Sequence, residues 1–130
     1  MSRQSKTFFG IGALLLTVAV MLGAFGAHSL ENGLTPDELD AFNSAVSFQI
    51  YHALGLIVVA FVLQWLPGSR LPHWSGWLMV AGICCFSGSI YLHTFGAPTI
   101  VVMAAPVGGV SFMIAWALLA IAAFKSPATA

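Results

Sequence analysis

Four long apolar stretches separated by short polar ones set the pattern of this chain. The first runs without a charge from Thr7 to Ala27, behind a polar lead that carries Arg3 and Lys6. About 20 apolar residues at 1.5 Å of helical rise each cover the roughly 30 Å hydrocarbon core of a bilayer, so this stretch is long enough to span it. A basic lead, an apolar run and the small residues Ala24 and Gly26 are also what a cleaved signal peptide shows. The run exceeds the usual apolar h-region of a signal peptide and further apolar runs follow it, which favours an uncleaved first helix.

The second stretch has a marked beginning. In Leu34-Thr-Pro-Asp-Glu38, Thr35 is placed to cap a helix, Pro36 to start it, and Glu38 to reach back and close a capping box. Acids in that first turn also suit the positive end of the helix dipole. From there Leu39, Phe42, Val46 and Ile50 form an apolar stripe opposite Asp37, Asp40, Asn43 and Ser44. That pattern predicts a short amphipathic helix lying in the interface and leading into a span from about Val46 to Trp65. Leu66-Pro-Gly-Ser-Arg-Leu-Pro72 then reads as a turn. A third span is expected from about Trp74 to Leu92, with Trp74 and Trp77 at one end and Tyr91 at the other, as in an aromatic belt at each interface. Pro106 interrupts any helix drawn through the next apolar run. Starting the fourth span at Pro106 carries it to Phe124 and leaves residues 94–105 as a loop or partial helix folded over the outer end; the alternative is a longer, kinked helix from Thr99. The expected fold is all-α, a polytopic membrane four-helix bundle in one domain over residues 1–130, with spans of about 7–27, 46–65, 74–92 and 106–124.

Composition strengthens this reading. Hydrophobic residues make up 59% of the chain and charged ones 6%, against the roughly 25% charged residues of a soluble domain. There are too few polar residues to coat a core, so the surplus apolar surface points to lipid. Net charge is zero with four Lys and Arg in all, which leaves no basic surface for nucleic acid. With four spans, Arg3, Lys6, Arg70 and Lys125 fall on one side and all four acids on the other. Short basic loops stay cytoplasmic, so both termini are expected inside. Cys84 and Cys85 are adjacent, point about 100° apart on a helix and so do not pair without distortion; they read as two small buried apolar side chains.

The candidate chemistry lies in a few polar groups. His28, His52 and His93 each fall toward the outer end of a different span, Gln49 shares a helix face with His52, and Tyr91 shares one with Ser87. Polar groups at membrane depth usually face the bundle interior and often mark function. His28, Gln49, His52, Tyr91 and His93 therefore form a candidate outward-facing pocket that relays protons, binds a metal or admits a small solute. The competing reading places them in the headgroup zone as caps or partners of backbone carbonyls. No HxxxH or HExxH spacing supports a metal site, and no GxSxG elbow, phosphate-cradling glycine loop or acid pair within a span supports catalysis. Neither a catalytic residue nor a cofactor is expected. Gly23, Ala27, Gly88, Gly108 and Gly109 read as points where helices pack closely in lipid.

Gly23-Ala-Phe-Gly-Ala-His-Ser-Leu30, Ala45-Val46, Gln49-Ile-Tyr-His-Ala-Leu54, Phe86-Ser-Gly-Ser-Ile-Tyr91 and Pro106-Val-Gly-Gly109 with Trp116 follow one another along the chain. In these blocks the chain resembles the small inner-membrane family known as domain of unknown function 423, which includes bacterial YgdD-like proteins and is similar to animal transmembrane protein 256. Phe48 stands where that family commonly has tyrosine, and Ala105 where a threonine often precedes the proline. The resemblance implies a four-span plasma-membrane protein and supplies no substrate, cofactor or reaction. Taken together, the expectation is a non-enzymatic accessory, assembly or scaffold component of the bacterial inner membrane, its partners being the lipid bilayer and either a second copy or a larger membrane complex. The alternative is a small transporter or channel in which His28, Gln49 and His52 line an outward vestibule.

Overall fold

The computed structural model describes residues 1–127. Helix α1, Arg3–Phe25, starts at Ser2, whose hydroxyl accepts the Ser5 N–H at 3.1 Å. It runs on into a π-helical turn, Gly26–Leu30. Helix α2, Pro36–Trp65, has both halves of the expected capping box: the Thr35 hydroxyl accepts from the Glu38 N–H at 3.3 Å, and the Glu38 carboxylate accepts from the Thr35 N–H at 2.8 Å.

The amphipathic segment expected ahead of the second span is not a separate element. It forms the first turns of α2, because neither glycine nor proline interrupts the chain between Pro36 and Gly55. At 1.5 Å per residue, a rod of 30 residues is about 45 Å long. That exceeds a hydrocarbon core of roughly 30 Å, so the acid-bearing first turns extend beyond the apolar run that begins at Val46. Glu38 lies in those turns, and its carboxylate accepts from the Thr35 N–H and, secondly, from the Thr35 hydroxyl, which together hold its carboxyl below the ordinary value. A carboxyl with a depressed folded pKa contributes stability that is present above its ordinary pKa and is lost as pH falls through the folded value. Carbon NMR of Glu38 is therefore expected to titrate at lower pH than a free glutamate, and Thr35→Ala to move the midpoint upward. An unchanged midpoint in that variant would disprove the capping account.

Helix α3, Leu71–Ile83, a second π-helical turn, Cys84–Gly88, and helix α4, Ser89–Thr94, make one continuous rod. The chain then turns at Gly96, whose φ of 106° is the left-handed conformation that a side chain disfavours. A 3₁₀ turn, Thr99–Ala104, leads directly into helix α5, Ala105–Lys125. The longer helical form starting at Thr99 is thus the one adopted. Pro106 does not break it, since proline in the first turn of an α-helix gives up no needed N–H bond and the tighter 3₁₀ turn precedes it.

Helix α1 packs on α2, α2 on α3, and α3 on α5. The core is made by Phe8, Leu56, Val59, Met79, Ile83, Phe112 and their neighbours. Backbones meet most closely where a glycine leaves room. A Cβ on Gly108 would lie 2.5 Å from the Phe86 nitrogen and 2.8 Å from the Gly82 carbonyl oxygen, and one on Gly12 would lie 2.8 Å from the Ala53 carbonyl oxygen. The remaining expected packing positions differ. Gly109 faces open space, Gly88 meets only the Ile83 carbonyl of its own rod, Ala27 is exposed and Gly23 makes ordinary contact with Val46. One residue along from those expected positions, Gly26 is buried against the Phe42 ring. Cys84 and Cys85 are free thiols, but Cys84 is exposed and Cys85 half-buried rather than part of the core. The helices alternate in direction, so Arg3, Lys6, Arg70 and Lys125 gather at one end of the bundle and Glu31, Asp37, Glu38 and Asp40 at the other.

Candidate functional site

Gln49 is 2% exposed, and its amide links three helices. Its Nε2 donates to the Leu15 carbonyl oxygen of α1 at 2.8 Å, and its Oε1 accepts from the Tyr91 hydroxyl of α4 at 2.7 Å. The Tyr91 ring packs on Phe42, with centroids 5.5 Å apart. The expectation of an outer-belt tyrosine is therefore corrected: Tyr91 turns inward, because a buried amide offers its hydroxyl an acceptor that lipid does not. Leu15 lies near the middle of α1, so this bridge meets α1 midway along its length.

His52, one turn further along α2, takes a different neighbourhood. Its Nδ1 donates to the Phe48 carbonyl oxygen at 2.7 Å, an i to i−4 bond that fixes the tautomer. Its ring lies flat on Phe112, with centroids 3.4 Å apart and planes within 9°. Phe48 and Trp116 complete an aromatic surround. Gln49 and His52 are both on α2, but their polar atoms meet different partners.

The other two candidate histidines lie apart. His28 is exposed in the π-helical turn after α1. His93 sets its Nδ1 3.0 Å from the Ala97 carbonyl oxygen and lines a hollow of about 280 Å³ at the acidic end with Asp37, Glu38, Thr94 and Val102. Of the five candidate pocket residues, the structure joins Gln49 with Tyr91, places His52 one turn away among aromatic rings, and leaves His28 and His93 at the acidic end. They do not line one shared vestibule.

Two buried serines also bond across helices. The Ser87 hydroxyl donates to the Ala45 carbonyl oxygen of α2 at 2.6 Å, and the Ser75 hydroxyl to the Ala115 carbonyl oxygen of α5 at 2.8 Å. Both serines are fully buried. Ser75 escapes sequence reading, its only signal being a small polar residue beside Gly76 within an apolar run. Among the described residues no group of three or more His, Cys, Asp or Glu side chains converges as a metal site would require.

The family model described as a protein of unknown function, DUF423, matches residues 22–109. The UPF0382 membrane protein YwdK of Bacillus subtilis is 43% identical over 120 residues, covering 92% of this chain and 98% of that protein. The chain belongs to the DUF423 family. UPF0382 membrane proteins of Staphylococcus saprophyticus and Staphylococcus epidermidis are each 40% identical over 120 residues, covering 92% of this chain and 98% and 97% of theirs. No solved structure matches this chain. With relatives named as membrane proteins and four helices long and apolar enough to cross a bilayer, this DUF423 protein is a multi-pass membrane protein. The matched region takes in Gln49, His52, Ser75, Ser87 and Tyr91, while Leu15 and Phe112 lie outside it.

Proposed function

We propose that this protein is a non-enzymatic structural or accessory component of the bacterial inner membrane, with both termini in the cytoplasm. One observation supports this reading above others: polar side chains set among the apolar spans are used to tie helix to helix or helix to itself. Gln49, Tyr91, Ser75 and Ser87 bond across helices and His52 bonds back along its own. Small polar groups bonded between helices hold a bundle together in lipid, where there is no hydrophobic drive between one helix and the next. A conducting path needs polar groups free to take a solute or proton, whereas hollows of about 280 to 430 Å³ lie toward the ends of this bundle. The basic residues at the end bearing the N-terminus support the proposed orientation.

Reconstituted into vesicles, the protein is expected to give no pH-dependent ion or solute flux above empty vesicles, and mild extraction from its membrane to yield a reproducible homo-oligomer or complex. A flux that His52→Ala abolishes would replace this reading with the transport alternative. Recovery only as a monomer would count against an assembly role.

A further inference from the structure

At the basic end of the bundle, the first turns of α1 and α3 enclose a recess. The Phe8 ring seats over Gly76, where a Cβ would come within 2.5 Å of it. That contact sets the start of α1 beside the start of α3, with Gln4 sharing one hollow with Arg70 and His73, and Arg3 sharing the next with Gln4 and His73. A hollow of about 430 Å³ is lined by Gln4, Ser69, Arg70, His73 and Trp74 together with the Pro67-Gly68 turn. A smaller one of about 140 Å³ is lined by Arg3, Gln4, Thr7, Phe8, His73 and Trp77. Gln4 and His73 border both hollows, so the two adjoin.

Three features give this recess a chemistry. Arg70 lines its larger hollow and Arg3 its smaller one, and among the described residues no carboxylate lines either, since the acidic side chains lie at the other end of the bundle. Guanidinium is the side chain best shaped to grip phosphate oxygens. The second feature is His73, whose ring stands edge-on to Phe8 and Trp74 at centroid distances of 5.9 and 6.1 Å. Its Nδ1 is buried without a hydrogen-bond partner, whereas His52 and His93 each set Nδ1 on a backbone carbonyl. A buried polar atom left unpaired is costly, and His73 is the one of these three histidines whose Nδ1 no described residue satisfies. Third, Trp74 and Trp77 are exposed beside the recess, as indoles at the level of lipid headgroups are.

We infer that this recess binds the phosphate group of an anionic membrane phospholipid, with Arg3 and Arg70 gripping the phosphate and Gln4, Ser69 and His73 supplying hydrogen bonds. The acyl chains lie along the apolar flanks of α1 and α3. This assignment is independent of whether the protein is an accessory component or a transporter.

Native mass spectrometry of the full chain with added phosphatidylglycerol tests it. The protein is expected to retain one phosphatidylglycerol in preference to phosphatidylcholine. The double variant Arg3→Gln, Arg70→Gln is expected to weaken retention roughly thirtyfold, the combined effect of two basic residues at a lipid surface. Lys6→Gln, a basic change at the same end but at a residue that lines neither hollow, is expected to leave retention unchanged. Equal retention by the double variant, an equal loss in Lys6→Gln, or equal retention of phosphatidylcholine would each overturn the assignment. A parallel titration with inorganic phosphate separates the two sources of the group. Arginine-dependent binding of phosphate with no retention of phosphatidylglycerol would overturn the lipid as occupant, and failure of phosphate to displace bound phosphatidylglycerol would support it.

Discussion

Replacing Gly108 with alanine is expected to destabilise the bundle by about 2 kcal/mol or more, while the same change at its neighbour Gly109 is expected to be neutral or mildly stabilising. The two residues sit in the same turn of α5 and would gain the same benefit from alanine, which favours a helix by up to about 1 kcal/mol over glycine. What separates them is the space each faces. A Cβ at Gly108 would press on the Phe86 nitrogen at 2.5 Å and the Gly82 carbonyl oxygen at 2.8 Å, and neither is the far end of a flexible side chain. Relief requires α5 to move away from the rod that contains α3, which also loosens the Phe112 ring where it packs against Gly82. A Cβ at Gly109 meets nothing within 4 Å. Unfolding of the two variants in mixed micelles checks this, and the packing account fails if Gly108→Ala proves as stable as Gly109→Ala.

Gln49→Leu has the second large effect, an expected loss of about 1–3 kcal/mol, because it leaves the half-buried Tyr91 hydroxyl without its acceptor and removes the tie to Leu15. Tyr91→Phe removes the donor but leaves the bond from Gln49 to Leu15, so its cost should be smaller. A double-mutant cycle between the two positions is expected to give a coupling of roughly 0.6–1.7 kcal/mol, the range found for interhelical hydrogen bonds in membranes. Additive losses with no coupling would mean that the bond contributes nothing to the fold. Because the bridge joins α1, α2 and α4, its loss should also raise amide exchange along α1, whose outer face has few protein contacts to hold it.

Much of this arrangement was legible beforehand, and for identifiable reasons. The capping box at Thr35 and Glu38 is a local device: its two bonds lie within four residues, so the signal and the structure occupy the same short segment. The proline at 106 was harder to place, since proline both ends helices and begins them, and only the 3₁₀ turn before it shows which role it takes. Glycines were legible as a class and not one by one. Gly108 and Gly109 are alike as letters, and a helix presents them about 100° apart. The candidate pocket is the least legible part, because an outer-end position along a span does not fix proximity: His28, His52 and His93 share a general direction but not a neighbourhood.

What the amino-acid sequence determined alone was the number of apolar helices, their order and the segregation of basic and acidic residues between the two ends. Those depend on the length of apolar runs and on the alternation of direction that short connections impose. Tertiary structure decided which polar atoms meet. Gln49 reaches Leu15 and Tyr91, and Ser75 reaches Ala115, only because helices distant in sequence rotate particular faces toward one another. That rotation is set by where a glycine lets one backbone approach another, as at Gly108 and Gly82. It follows from the shape complementarity of the packed helices, which no single stretch of residues contains.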